Sequence, residues 1–391
     1  MLNSNYDTSL GLEHENKTKF DSLTFKYDHS HSNLKSLCIR HVPFWNNVNP
    51  EFIEIKKMNN GITNQVYQAT LVDGDKDRYP IKSVCIKKSS TYNSLVIDDD
   101  LQYRIAKLPD AGSTTRGSST ALGDNNFGPR IIGRFGDFTI QEWVEGNTMG
   151  IDSLQNLSVL TGIASSLAKF HKKVTELVPK EWDRTPMFLT KIATWSPHVE
   201  RIIKKYNLDF DYNELVQNYE MFKKILNNHL NTSNSITNSI LFCHNDLYPS
   251  NILHTLHGIY FIDFDFSGFN YVGWEISNLF FKLCIVYNHH TPPYFNFDDS
   301  LALSQEMKTI FISVYLSQLL GKNVLPSDDL VNDFLQSVEI HTLGVNLFWT
   351  YWGIVMTDKP NNELSNPYSF IAYSKFEYYS LKIKFDKLIS N

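Results

Sequence analysis

The chain has 391 residues, 42% of them hydrophobic and 14% aromatic, and a formal net charge of −6. That length exceeds what one hydrophobic core serves, so two lobes are expected. The acidic balance excludes a general nucleic-acid binder, and four scattered cysteines (Cys38, Cys85, Cys243, Cys284) offer neither a disulfide framework nor a zinc spacing.

Residues 1–40, rich in Asn, Ser, His and Lys, read as a flexible arm with room for one helix. They hold no signal-peptide core. No apolar run reaches the ~18 residues of a membrane span. With reduced thiols, this points to a cytoplasmic protein without stable membrane insertion. From Phe52 the texture changes. "FIEIKKMNNGITNQVYQATLV" reads as strand, Gly-containing turn, strand, and "IKSVCIKK" as a third strand. "LVIDDDLQYRIAKL" fits a short helix with Leu101, Ile105 and Leu108 on one face. "PDAGSTTRGSSTALGDNN", within 109–126, reads as a mobile insertion. "RIIGRF" and "DFTIQEWVEG" make a hairpin across Gly136-Asp137. Residues 41–145 thus form a small, mostly antiparallel lobe. The remainder, 146–391, is α-rich: "SLQNLSVLTGIASSLAKFHKKV", 210–230, and stretches near 300–320, 326–356 and 366–388 have helical spacing. A polar loop and a hairpin around "HTLHG" interrupt it. The expected fold class is α+β and bilobal.

The polar loop is "FCHNDLYPSNIL". His244-Asn245-Asp246, then Asn251, then Asp263 after an apolar strand, is a phosphotransfer pattern. One carboxylate orients and deprotonates the attacking hydroxyl. An amide oxygen and a second carboxylate hold Mg²⁺ on the phosphates. Asp246 fits the base, and Asn251 and Asp263 the metal ligands; so sparse a set suits Mg²⁺. Gly61, in the first turn, lets backbone N–H groups approach phosphates. Lys87 ends the third strand where a cation would meet the α- and β-phosphates of ATP, and Lys88 competes for that role, since one register step exchanges them. "QEWVEG" fits an inter-lobe hinge, with Gln141 and Val144 as the candidates whose backbone pairs with adenine. Trp349 and Trp352, three apart on one helix face, supply rings for a quaternary ammonium. Ordinary turn capping and core packing are the competing readings of each motif taken alone.

With these residues in view, the chain resembles the choline/ethanolamine kinase family from about Phe52 to Leu388. The most specific stretch is "FCHNDLYPSNIL…YFIDFDFSGFNYVGWEISNLF"; "LFWTYWGIVM", "NGITNQVY" and "IASSLAKFH", ending in His171, are also similar to family motifs. The resemblance implies a protein-kinase-like fold, shared with aminoglycoside phosphotransferases, and ATP- and Mg²⁺-dependent phosphorylation of an amino alcohol. It implies Thr63 and Asn64 over the phosphates, and Asp246, Phe266, Tyr287, Trp349 and Trp352 around the cation. A homodimer is among the assemblies it implies. Three departures stand out. Lys282 replaces a Glu that contacts the substrate cation, so either Lys282 swings to solvent, or Asp246 and the rings act alone, or the substrate differs. Phe266 lacks the usual Tyr hydroxyl. The Glu that would pair with the cationic Lys aligns with Gln102, or with Asp99 or Asp100. Choline is the favoured acceptor, because a stripped anionic wall hurts a primary amine more. An ethanolamine-preferring kinase, another small-molecule kinase of the fold and an inactive binding module are the rival readings.

Overall fold

The computed structural model describes residues 30–58, 64–72, 78–89, 95–97, 104, 121–124, 127–287, 291–359 and 369–390. Strands β1 (Ile53–Met58), β2 (Gln65–Leu71), β3 (Ser83–Lys88), β4 (Ile131–Phe135) and β5 (Phe138–Glu142) form one antiparallel sheet in the order β1-β2-β3-β5-β4. Gly136, at φ 63°, makes the β4–β5 turn. Period-two alternation sorts the residues of β3. Val84 and Ile86 are buried with Tyr67, Ala69 and Ile140 on one face. Cys85 and Lys87 point to the other, and Gln141 faces Cys85 across the β3–β5 ladder.

Helix α1 (His31–His41) covers the apolar face of that sheet. Leu34, Leu37 and Cys38 are fully buried there, and Trp45 Nε1 donates to the Ile81 carbonyl at 2.9 Å. The one helix for which the N-terminal segment left room is thus His31–His41, docked on the sheet rather than carried on a flexible arm. Three apolar residues at i, i+3 and i+4 suffice to dock a helix, and the polar residues around them hide that stripe. The proposed 95–108 helix and the 109–126 insertion lie mostly outside the described residues.

The chain leaves the sheet through residues 143–146 and enters β6 (Asn147–Thr148), which pairs with the hairpin β8 (Ile252–Thr255)–β9 (Gly258–Phe261). Gly146 permits that passage, since a Cβ there would lie 2.8 Å from the His254 carbonyl oxygen. A second pair, β7 (Ile240–Cys243) with β10 (Gly268–Tyr271), sets loop 244–251 beside segment 262–267.

Around these strands lie α2 (Leu157–Leu177), α3 (Met187–Tyr206), α4 (Tyr212–Thr232), α5 (Val272–Lys282), α6 (Gln305–Leu320), α7 (Asp329–Met356) and α8 (Phe370–Ser390). Asn156 and Asp211 cap α2 and α4 by accepting from the first-turn N–H groups. From His341 to Met356 every residue of α7 is buried, the signature of a helix enclosed on all sides. Helices α3, α5 and α8 enclose it. Gly353 lets α8 approach, because a Cβ there would sit 3.0 Å from the Phe370 carbonyl oxygen. The sequence reading placed no helix at α3, whose apolar period is interrupted by Pro197. Among the described residues, no helix is long and apolar enough to cross a membrane.

Candidate active site

Loop 244–251 is pinned from beneath. His244 is buried, with Nε2 2.8 Å from the Ile262 carbonyl oxygen and Nδ1 3.3 Å from the Asp246 N–H. Donation by Nε2 and acceptance by Nδ1 fit one neutral tautomer, and burial pushes the His244 pKa down, which favours it. Asn245 adopts a left-handed conformation, φ 66°. Its Nδ2 donates to the carbonyls of Phe266 (2.9 Å) and Gly268 (3.1 Å), and its Oδ1 accepts from Asn270 (2.8 Å). Its backbone N–H donates to Glu275 Oε2 at 2.9 Å. Glu275, from α5, is wholly buried with His171 Nε2 3.7 Å away, and His171 pairs through Nδ1 with the Tyr315 hydroxyl at 2.8 Å. These bonds aim Asp246, half-buried, out of the loop. Burial pushes its carboxyl well above the usual range, and the Lys282 ammonium is the chief counterweight.

Asn251 Nδ2 donates to the Asp246 carbonyl at 2.9 Å, which leaves its Oδ1 for a metal. Asp263 stands at the end of β9 with φ 65°. Lys87 Nζ reaches across from the sheet to Asp263 Oδ1 at 2.5 Å and also to Asp265 Oδ1. Burial opposes ionisation of Asp263, but the Lys87 ammonium outweighs it and holds the carboxyl below its usual range. Burial and the Asp263 charge raise Asp265, and Asn64 Nδ2 donates to Asp265 Oδ2 at 2.5 Å. One amide oxygen and one carboxylate oxygen are the hard donors Mg²⁺ takes, so the residues fit that ion. The pleat sends the two candidate lysines to opposite faces: Lys87 reaches Asp263 and Asp265, while Lys88 lies 5.8 Å over the Phe138 ring. Asp265 was missed, although Asp-x-Asp after an apolar strand could have signalled it. Gln141, on the Lys87 side of the sheet, and Val144, in the connector, are partly buried. Gly61 and Thr63, and the ion-pair candidates Asp99, Asp100 and Gln102, lie outside the described residues.

The rings converge beyond Asp246. Phe266 meets Trp349 at 5.4 Å and Trp349 meets Trp352 at 5.2 Å, both edge-to-face. Trp352 meets Tyr373 at 6.0 Å, and Tyr287 packs on Tyr248 at 5.7 Å. Asn278 ties this box to the loop, since it accepts from Trp349 Nε1 at 2.8 Å and donates to the Leu247 carbonyl at 3.1 Å. Lys282 does not swing to solvent. It is 3% exposed, its Nζ lies 3.9 Å over the Trp349 ring and 4.8 Å from the Tyr373 ring centre, and it donates to the Tyr373 hydroxyl. Burial pulls its pKa down, while the Glu377 and Asp246 carboxylates act against that pull. Tyr373 and Glu377, both on α8, were missed. Tyr373 meets Lys282 across 91 positions of chain and Glu377 meets Asn346 across 31, and no local motif marks either.

Known proteins resemble this chain in sequence and fold. The sequence model of choline/ethanolamine kinase matches residues 55–380. Probable choline kinase 1 of Arabidopsis thaliana is 28% identical over 266 residues, 67% of this chain and 71% of that protein. Probable ethanolamine kinase A of Dictyostelium discoideum is 26% identical over 383 residues, 94% and 98% of the two chains. The solved choline kinase of Cryptosporidium parvum superposes with a TM-score of 0.77 at 23% identity, over 92% of this chain and 97% of that one. A match over most of the chain, on a protein-kinase-like fold with a sheet and a helical part, shows that the chain belongs to the choline/ethanolamine kinase family, phosphotransferases with an alcohol acceptor.

Proposed function

We propose that the protein transfers the γ-phosphoryl group of ATP to the hydroxyl of choline. The observation that carries this reading is that the box of Trp349, Trp352 and Tyr373 already shelters an ammonium, that of Lys282, beside Asp246. Trp faces favour a cation that has no N–H to donate. In this reading Asp246 accepts the hydroxyl proton as oxygen attacks phosphorus, and Phe266 and Tyr287 exclude water. Lys87 meets the phosphates once they draw it from Asp263 and Asp265, and Gly61, Thr63 and Asn64 cover them. The backbone of Gln141 to Val144 meets adenine. Asn251 Oδ1 and Asp263 would hold Mg²⁺, which neutralises the developing charge on the phosphate oxygens. The nucleotide lobe is 41–145 and the acceptor lobe 146–391, in a cytoplasmic enzyme that forms a homodimer.

A second reading, ethanolamine as acceptor, is favoured by one observation. The Tyr373 hydroxyl accepts from a primary ammonium, and –NH₃⁺ needs such acceptors. Initial rates of ADP release with Mg·ATP and choline, ethanolamine or no acceptor separate the two. Choline-dependent turnover lost in Asp246→Ala is the expected result. A more than tenfold preference for ethanolamine sinks the choline reading, and no turnover on either amine by protein that still binds ATP sinks both.

A further inference from the structure

The acceptor box is occupied by the protein itself. Lys282, at the C-terminal end of α5, puts its Nζ over Trp349 and against Tyr373, where an incoming cation would sit. Among the described residues, no carboxylate oxygen lies within 4 Å of that ammonium. Yet Glu377, one turn after Tyr373 on α8, is fully buried. Its Oε2 accepts from Asn346 Nδ2 at 2.6 Å and the Tyr373 hydroxyl is near enough to favour its ionised form, while its Oε1 has no partner in hydrogen-bond geometry. A buried carboxylate oxygen without a partner is costly. The nearby cation of Lys384 is spent elsewhere, on Asn346 Oδ1 at 3.2 Å and over the Phe281 ring. A cation held by rings and a carboxylate held short of its cation describe one half of a two-position arrangement.

We propose that Lys282 is a resident cation of the acceptor site, which the substrate's ammonium displaces from Trp349 onto Glu377 Oε1, so that this pair sets the concentration of amino alcohol the enzyme responds to. The proposal rests on the reading that the box takes a cationic alcohol. Two ammonium groups cannot share one box, so the substrate must evict Lys282 before it binds. The eviction costs the cation–π contact and gains the ion pair that Glu377 lacks. Apparent affinity falls by the fraction of molecules with an open box. For a desolvated cation–π contact the net cost is on the order of tenfold in KM.

The test compares Lys282→Met, Glu377→Gln and the double variant with wild type, by initial rates against choline at saturating Mg·ATP. Lys282→Met keeps the apolar stem and removes the competitor, so KM falls about tenfold; kcat is not the readout, because the same change strips Asp246 of its chief counterweight. Glu377→Gln removes the receiving negative charge, leaving an NH₂ where the oxygen stood once the amide oxygen accepts from Asn346, and raises KM. In the Lys282→Met background the same change leaves KM where it was. A KM for Lys282→Met equal to or above wild type overturns the proposal while leaving the kinase reading intact. Because Lys282→Met strands a buried carboxylate and can unfold the protein, the double variant, with both charges gone, is the safeguard. Tetramethylammonium, titrated by quenching of Trp349 and Trp352 emission, then reads the box without any turnover. Tighter binding to the double variant than to wild type supports the proposal even if neither amine is phosphorylated; equal or weaker binding overturns it.

Discussion

Asn245→Ala tests whether the loop beneath Asp246 is held as described. Asn245 is fully buried at φ 66° and makes three side-chain hydrogen bonds, at 2.9, 3.1 and 2.8 Å. Alanine keeps only the backbone N–H to Glu275. Each lost bond is worth about 1 kcal/mol net, and the carbonyls of Phe266 and Gly268 and the Asn270 amide are left buried without that partner, which adds to the cost. A left-handed Ala costs a further ~1 kcal/mol that Asn is spared by its local hydrogen bonding. The sum is about 4 kcal/mol. For a domain the size of the helical part, ~1 kcal/mol moves Tm by about 2–4 °C, so the melting transition should fall by roughly 10 °C. Scanning calorimetry measures it, and Asn245→Gly, free of the backbone penalty, should recover about 1 kcal/mol relative to Ala. A fall of under ~2 °C for Asn245→Ala, on the same scale, would refute the argument that this side chain braces the loop.

Asp246→Asn should lower kcat by about 10²–10⁴ and leave nucleotide affinity near wild type by calorimetric titration; loss of both together would mean a collapsed loop rather than a missing base. Trp349→Phe orphans the Oδ1 of Asn278, while Trp352→Phe deletes an Nε1–H that has no partner. The first should therefore destabilise by ~1–3 kcal/mol and the second by less, as read from thermal melts, and the reverse order would contradict the hydrogen-bond assignment. Burial drives the pKa of His341 down to about 3. The folded state keeps it neutral, and the unfolded state protonates it near pH ~6.5. Its stabilising share is complete above that pH and shrinks, by about 1.4 kcal/mol per unit, as pH falls toward 3. Urea midpoints at pH 7.5 and 5.0 should drop further in wild type than in His341→Gln; equal drops would rule out His341 as the source.

What the sequence displays depends on how far apart the interacting residues are. Asp246, Asn251 and Asp263 sit within one hairpin's length, so their spacing survives as a motif, and the structure brings them together around 244–263. Lys87 was legible as one of two because the strand was clear but its face was not; only the pairing of β3 with β5 decides which side chain turns toward Asp263. Glu275 reads as one acid in an apolar helix, and its task, accepting from the Asn245 N–H, appears only when α5 packs under the loop. Lys282 was the hardest. A lysine ending a helix ordinarily reaches water; here α8 closes over it and contributes Tyr373 and Glu377 from 91 and 95 positions downstream.

Asn278 explains why base and box form a single site. Its amide spends both ends on the machinery: Nδ2 on the carbonyl of Leu247, the residue after Asp246, and Oδ1 on the indole of Trp349. The position that would deprotonate the hydroxyl and the ring that would hold the cation are thus separated by one buried side chain and not by a flexible path. Such a ruler favours an acceptor whose hydroxyl and cation are themselves a fixed, short distance apart, as two methylenes make them in choline and ethanolamine alike. Head-group chemistry, methylated or not, is left to the contacts around the nitrogen, and there the chain has placed Lys282. In the proposed reading, Asn278 would set the length of the acceptor, and the contacts around the nitrogen, Lys282 with Glu377 among them, would act on its cation. Substitutions at one should leave selectivity for the other unmoved.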